Sequence, residues 1–261
     1  YSVYKEAFHL LARRLTYARV RELAQSDPML LEAAMFVAAG LIPDTAPQDH
    51  GYWDRMDKYR KTRLTGIIPM PVLWSRKGVR PVNYPERRLY GAARLLSRTA
   101  DTGLLEAVDH VWRQELTPVQ RCTAFAALFP NRLGFWGNHC AWNGKAMRTA
   151  VAPIGEARIF SIIGNVFVPM AIALARTQSD RLREERVLEF FHAMPGESEN
   201  RTVKRMALRL YGAGHRLKVG FAQQQGMLQM FHDYCGQNPS CRNCGLLRQL
   251  DILQSAVFGD E

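Results

Sequence analysis

The fold class is decided by the stretch Ser26–Gly40, which reads SDPMLLEAAMFVAAG. Asp27 followed by Pro28 is typical of a helix start, because Asp caps free backbone N–H groups and Pro suits the first helical position. The apolar residues that follow continue a helical pattern up to Gly40, a residue suited to the end of a helix. This stretch therefore predicts a strongly apolar helix.

Similar signals recur on both sides of it. Helical patterns cover residues 2–24, 52–64, 86–98, 102–114, 117–128, 178–194, 200–211 and 246–258. Residues 130–150 show no clear period, and we find neither convincing strand alternation nor an internal repeat. We predict an all-α, bundle-like fold of about ten helices. Regions 1–130 and 131–261 either form two domains or pack as one.

Composition narrows the class of protein. The 261 residues are 47% hydrophobic, which supports a large core and excludes a disordered chain. Five cysteines, an odd number with three close together, favour a reducing, cytoplasmic setting over a secreted disulfide framework. The mixed charge at the start excludes a signal peptide there, and the missing initiator Met suggests a piece of a longer chain.

One apolar stretch is a candidate for a membrane span. Residues 159–175 carry no charge, but Gly164, Asn165 and Pro169 interrupt them, and the run is at the short limit for a span. We predict a buried core helix that is kinked or broken near Pro169.

Basic residues are concentrated rather than spread. Between Asp54 and Arg98, twelve Lys and Arg face three Asp and Glu, a net +9 out of +11 for the whole chain. In a second stretch Arg201, Arg205 and Arg209 recur at helical spacing on one face. A concentrated positive field attracts phosphates, so we predict nucleic-acid binding. The predicted contacts are Arg76, Lys77, Arg80, Arg87, Arg88, Arg201, Lys204, Arg205 and Arg209.

The loop 76–85 contributes a second argument. Its two prolines and one glycine predict a rigid basic loop that leads into a helix N-terminus, which is an anion-binding arrangement. The alternative is structural: Arg80 and Asn83 would hydrogen-bond the loop together.

Three cysteines near the end predict a metal site. Cys235, Cys241 and Cys244 follow the spacing Cys-x5-Cys-x2-Cys, and two thiolates two residues apart can bind one metal. Zinc and an iron–sulfur cluster both remain open, as do three reduced cysteines in a tight turn. Cys140 is the preferred fourth ligand because it lies in an aromatic loop and thiolate is the common partner of three others; the other candidates are Cys122, His139, His215 and His232.

Two other functions stay open. An enzyme site could lie where polar groups are set among apolar residues, around Trp136, His139 and Asn165. The sequence contains no paired carboxylates, nucleophile elbow or P-loop to accompany them. In the other alternative, the basic face docks an acidic protein.

The chain resembles the bacterial domain-of-unknown-function family 2851 from about residue 28 to the end. The segments that carry the resemblance are 32–41, Trp74, 79–89, 135–136 with His139, 154–155, 165–169, 224–226, 234–235 and 241–244. Among these, the Arg-Pro-x-Asn-x-Pro motif of residues 80–85 and the closing cysteines are the most specific.

This resemblance implies a longer N-terminal half with a nuclease-like acidic pattern, which we do not find in this sequence. Any catalysis would then belong to that half. The cysteine segment also looks like the iron–sulfur loop of helical DNA-repair glycosylases. It departs from that loop in its first gap and in Leu250, which stands where the fourth cysteine would be.

Overall fold

A computed structural model describes residues 15–47, 51–70, 74, 76–129, 133–197, 201–212, 214, 218–236 and 244–245. Within these ranges the secondary structure is entirely helical, with no strand, which confirms the all-α prediction. The predicted last helix, residues 246–258, lies outside the described residues.

The chain divides into two compact units, Tyr1–Ile163 and Gly164–Glu261. The division therefore falls 33 residues later than the boundary suggested by the sequence. All five tryptophans belong to the first unit, so tryptophan fluorescence reports on that unit alone.

The first unit is built from short helices. They are α1 (Tyr17–Ser26), α2 (Pro28–Ala38), α3 (Gly51–Thr62), α4 (Pro85–Arg98), α5 (Leu104–Arg113), α6 (Pro118–Leu128), α7 (Gly134–Asn138) and α8 (Glu156–Ile162). A 3-10 turn at Pro81–Asn83 precedes α4.

Helix α2 is the centre of the first unit. The Asp27 side chain accepts a hydrogen bond from the Met29 N–H, as the cap signal predicted, and Gly40 takes a positive φ of 65° just beyond the helix end. Every residue from Leu30 to Ala38 is buried, because α1, α3 and α4 pack around this helix. A helix that is apolar all round needs such cover on every side.

Two boundaries differ from the prediction. The helical pattern was predicted to begin at residue 102, but α5 begins at Leu104 and Gly103 is its N-cap, with a φ of 91°, a value that suits glycine. Helix α7 lies in the stretch that showed no period. Its five residues are too few to display one, and they bury Trp136 in the core.

A wide helical turn follows α8. Ile163–Phe167 forms a π-turn, and α9 (Val168–Thr177) continues after it, so the helix is not broken at Pro169. The helix is also not buried along its whole length, in contrast to the predicted core helix. Proline has no N–H to offer the carbonyl four residues earlier and its ring crowds that carbonyl. The wider turn accommodates both effects.

The run Glu156–Thr177 is long and apolar enough to cross a membrane by length and composition. This is weak evidence for a span, because core helices meet the same criteria. Phe167, Ala171 and Ala175 are buried at helical spacing, whereas Asn165, Pro169 and Ala173 are exposed. The helix therefore buries one stripe only.

Besides α9, the second unit contains α10 (Arg181–Ala193), α11 (Arg201–Tyr211), α12 (Phe221–Met230) and a π-turn at Phe231–Cys235. Helix α10 packs on α9 and α12, and α11 packs on α12. Gln224 joins α12 to the loop after α10, since its carboxamide accepts from the Glu197 N–H and donates to the Glu197 carbonyl, both at 2.9 Å.

Candidate functional site

Helix α11 is basic on one face and apolar on the other. Val203, Met206 and Ala207 are buried in a small core with Val219 and Met227. This packing fixes the rotation of the helix about its axis.

The opposite face of α11 carries the charge. Arg201, Lys204 and Arg205 are exposed, Arg209 is half-buried, and the helix contains no Asp or Glu. No carboxylate in the described part of the chain forms an ion pair with the three exposed cations. The guanidinium of Arg205 lies 5.8 Å from the centre of the Phe231 ring, which holds it beside the helix. Four of the predicted phosphate contacts are therefore brought together on one element.

The basic loop before α4 is arranged differently. Arg76 forms an ion pair with the buried carboxylate of Glu86, and its guanidinium also lies 5.5 Å from the Tyr84 ring centre. Lys77 and Arg80 are exposed. A phosphate that approached Arg76 would have to compete with Glu86, so this loop offers a weaker field than its composition suggested.

Arg87 corrects the predicted set of phosphate contacts. Its side chain is 0% exposed, and its guanidinium donates to backbone carbonyls rather than to solvent. Among the acceptors are Trp136, His139 at 3.0 Å and Val151 at 2.7 Å. Burial lowers the pKa of Arg87 below its usual value. Arg87 therefore holds the 134–152 segment on α4 and is not available to a ligand.

Arg88 also has a structural role. Its guanidinium donates to the side-chain oxygen of Asn83 and, at 3.3 Å, to the carbonyl of Pro153. The backbone N–H of Asn83 in turn donates to the Arg80 carbonyl at 2.8 Å. These contacts favour the structural alternative for this loop.

The structure describes only part of the predicted metal site. Cys235 is half-buried and Cys244 is buried, whereas Cys241 and the alternative ligand His215 lie outside the described residues. His232 pairs with Asp233 at 2.9 Å. Among the described residues, no three His, Cys, Asp or Glu side chains form a group that could hold a metal ion.

The two candidate cysteine ligands in the first unit have other surroundings. Cys140 lies 3.5 Å from the sulfur of Met147. Cys122 is half-buried, and burial raises the pKa of its thiol. A thiol with a raised pKa is less readily a thiolate, which is the form that binds metal.

The residues of the possible enzyme site are split between the units. Trp136 is wholly buried and packs against Phe36 and Trp142. The His139 ring stacks on Phe135 at 4.1 Å, and its Nδ1 lies 3.1 Å from the Phe135 carbonyl. Asn165 belongs to the second unit. The contacts of Trp136 and His139 are those of core residues.

Sequence reasoning gave no role to Glu32, which has the most perturbed carboxyl in the described residues. It is 2% exposed and accepts a hydrogen bond from the Tyr52 hydroxyl, which accepts in turn from the Trp136 indole N–H at 3.0 Å. Burial raises the pKa of Glu32 from 4.5 to about 7. The available signal was a single acid within an otherwise apolar helix. Its burial keeps solutes away, so we assign Glu32 a structural role.

The comparisons with known proteins identify a family. The sequence model of a family described as "Protein of unknown function (DUF2851)" matches residues 1–200. The match thus starts earlier than the predicted resemblance and ends before α11 and the cysteines, and it gives no evidence of a nuclease-like N-terminal half. Neither a curated protein nor a solved structure matches the chain significantly.

Proposed function

The chain belongs to the DUF2851 family of proteins of unknown function, and we propose that it binds nucleic acid through the exposed basic face of helix α11. The observation that carries the proposal is that Arg201, Lys204 and Arg205 share this face without a carboxylate partner in the described residues. Because the family match ends at residue 200, the proposal concerns this chain and not the family.

The ion pairing of several other exposed cations contrasts with the α11 face. Arg19 pairs with Glu22, Arg113 with Glu106, and Arg176 with Glu184. Such surface pairs contribute little to stability, but they cancel the field that a polyanion would meet. The α11 cations keep their field, and each phosphate they neutralise would release a condensed counterion and favour binding.

The nearby residues suit a polyanion that also carries flat, apolar groups. Leu208 and Tyr211 are 54% and 43% exposed on the same helix as the cations. Nucleic acid offers phosphates together with base faces, and aromatic side chains stack on bases. This combination supports nucleic acid over a simple inorganic anion as the ligand.

Binding can be tested by fluorescence anisotropy with labelled single-stranded and duplex oligonucleotides over a salt series. We expect affinity to fall steeply with salt, and the triple variant Arg201→Gln, Lys204→Gln, Arg205→Gln to flatten the log–log salt slope by about two to three. The matched control is Arg19→Gln, Arg98→Gln, Lys145→Gln, which removes the same charge from exposed positions in the other unit. Equal effects of the two triple variants, or no binding at low salt, would contradict the proposal.

A second candidate is docking of an acidic protein on the same face. The exposed Leu208, which helical spacing places beside Arg201 and Arg205, favours it, because mixed apolar and charged surfaces are common at protein interfaces. The oligonucleotide titration separates the two candidate functions. If α11 binds an acidic protein and not nucleic acid, neither the single-stranded nor the duplex oligonucleotide should bind.

A further inference from the structure

The second unit contains a pocket of about 590 Å³ between α9, α10 and α12. Most of its lining is apolar, with Val168, Pro169 and Ile172 from α9 facing Leu188 and Phe191 from α10. Pockets that bind small molecules have about this volume and a similarly apolar lining. The volume and the apolar lining therefore suit a small-molecule ligand.

The local backbone shapes this pocket. Gly164 and Asn165, within the π-turn, line one end of it. A Cβ atom on Gly164 would come within 2.3 Å of the Phe221 ring, so only glycine lets Phe221 pack here. Phe221 is wholly buried and meets Phe191 edge to face at 5.8 Å. One wall of the pocket is thus fixed by the contact of half-buried Phe191 with buried Phe221. π-Turns of this kind are frequent at functional sites.

The charge of the lining indicates the class of ligand. Among the described residues that line the pocket, the single charged side chain is Arg176, and its guanidinium is paired with Glu184 at 2.7 Å. The remaining polar groups are the carboxamides of Asn165 and Gln225, which can both donate and accept hydrogen bonds. The pocket is therefore close to neutral in a chain whose net charge is +11.

We propose that this pocket binds an uncharged, largely apolar small molecule, with the Gln225 carboxamide as a hydrogen-bonding group. Among the described lining residues, an anion would find no unpaired cation and a cation would find no carboxylate. This site is separate from the basic face of α11, and the inference does not depend on nucleic-acid binding.

The test uses two fluorescent probes that share one ring system. N-phenyl-1-naphthylamine is uncharged, and 1-anilinonaphthalene-8-sulfonate is the same molecule with an added sulfonate. We expect the neutral probe to bind the full chain saturably with one site and the sulfonate to bind more weakly, although the net charge of the protein favours the anion.

Two variants locate the binding site. Ala173→Leu adds a large side chain at an exposed lining position, and we expect it to weaken binding of the neutral probe by about tenfold or more. Ala157→Leu makes the same change at an exposed helical position outside the lining and should leave binding unchanged.

Three results would overturn the inference. They are the absence of saturable binding, equal affinity of the Ala173→Leu variant and the parent chain for the neutral probe, and a sulfonate probe that binds as tightly as the neutral one. Circular dichroism of Ala173→Leu establishes that a lost signal reflects the pocket and not unfolding.

Discussion

The hydroxyl of Tyr52 donates a hydrogen bond to the carboxyl group of Glu32, and both residues are buried in the first unit. The Glu32 carboxyl group therefore has a hydrogen-bond partner but little contact with solvent. Burial is the largest influence on its pKa, which rises to about 7. A carboxyl with a raised pKa stabilises the fold fully below its unfolded pKa. That contribution is lost as the pH rises through about 7.

We expect Glu32→Gln to remove this pH dependence. Glutamine keeps the acceptor for Tyr52 but carries no charge, so the variant should match the parent chain near pH 4.5 and exceed its stability by about 3 kcal/mol at pH 8. Urea unfolding followed by tryptophan fluorescence measures the difference. Glu22→Gln, at an exposed position, is the control and should stay within about 0.5 kcal/mol of the parent chain. A Glu32→Gln variant that is less stable at pH 8 would show that the ionised carboxylate is favoured in the fold.

We expect Arg87→Met to destabilise the first unit by at least about 3 kcal/mol, because a buried acceptor that loses its donor costs about 1–3 kcal/mol. The carbonyls of Trp136, His139 and Val151 would lose their donor together. Arg98→Met changes an exposed arginine on the same helix and should cost less than about 0.5 kcal/mol. Similar urea midpoints for the two variants would contradict the assigned role of Arg87.

Two glycines within helical segments of the second unit should respond in opposite directions to alanine. Gly164→Ala would bring a methyl group against the Phe221 ring, and overpacking of this kind costs about 1–3 kcal/mol. Gly226 has no atom within 4 Å of the added methyl, so Gly226→Ala should stabilise α12 by up to about 1 kcal/mol. Because the tryptophans all lie in the first unit, hydrogen exchange of the second unit is the suitable measurement. Equal protection in both variants would contradict the packing of Phe221.

Arg80 of the basic loop and Arg88 of α4 should separate stability from binding. Arg88→Gln removes the donor to Asn83 and Pro153 and should cost about 1–3 kcal/mol of stability. Arg80→Gln changes an exposed side chain and should leave the urea midpoint unchanged, with only a modest loss of oligonucleotide affinity. If Arg88→Gln instead lowers affinity and leaves stability intact, Arg88 contacts the ligand.

Metal content tests the predicted cysteine site. We expect protein purified without oxygen to carry about one zinc per chain, or an iron–sulfur cluster of about four irons that absorbs near ~400 nm. Cys235→Ser should lose the metal, whereas Cys122→Ser, a half-buried cysteine in the other unit, should retain it. Metal-free protein with five titratable thiols would remove this prediction.

Local signals in the sequence predicted the helices well. Asp27 caps α2 as predicted, and Thr117 forms a reciprocal capping box with Gln120 at the start of α6. Pro85 begins α4. These signals succeed because each involves backbone groups within one turn of the residue that reveals it.

The candidate site was less predictable, because its outcome depends on distant partners. Arg80 and Arg87 are both arginines of the same basic stretch. Arg80 is exposed, whereas Arg87 donates to carbonyls 49 and 64 residues further along the chain. Spacing alone identified the basic face of α11, because both its apolar and its charged residues lie within a single helix. Charge counting over a long stretch cannot distinguish inward from outward arginines.

The long reach of Arg87 has a consequence for synthesis on the ribosome. Its acceptors in the segment 134–152 leave the exit tunnel well after α4, so the two Nη groups of the guanidinium lack these acceptors while that segment is still missing. The first unit therefore cannot close around Arg87 until Ala152 has emerged. In shorter nascent chains these Nη groups are hydrated by water instead of bound by the backbone of the 134–152 segment.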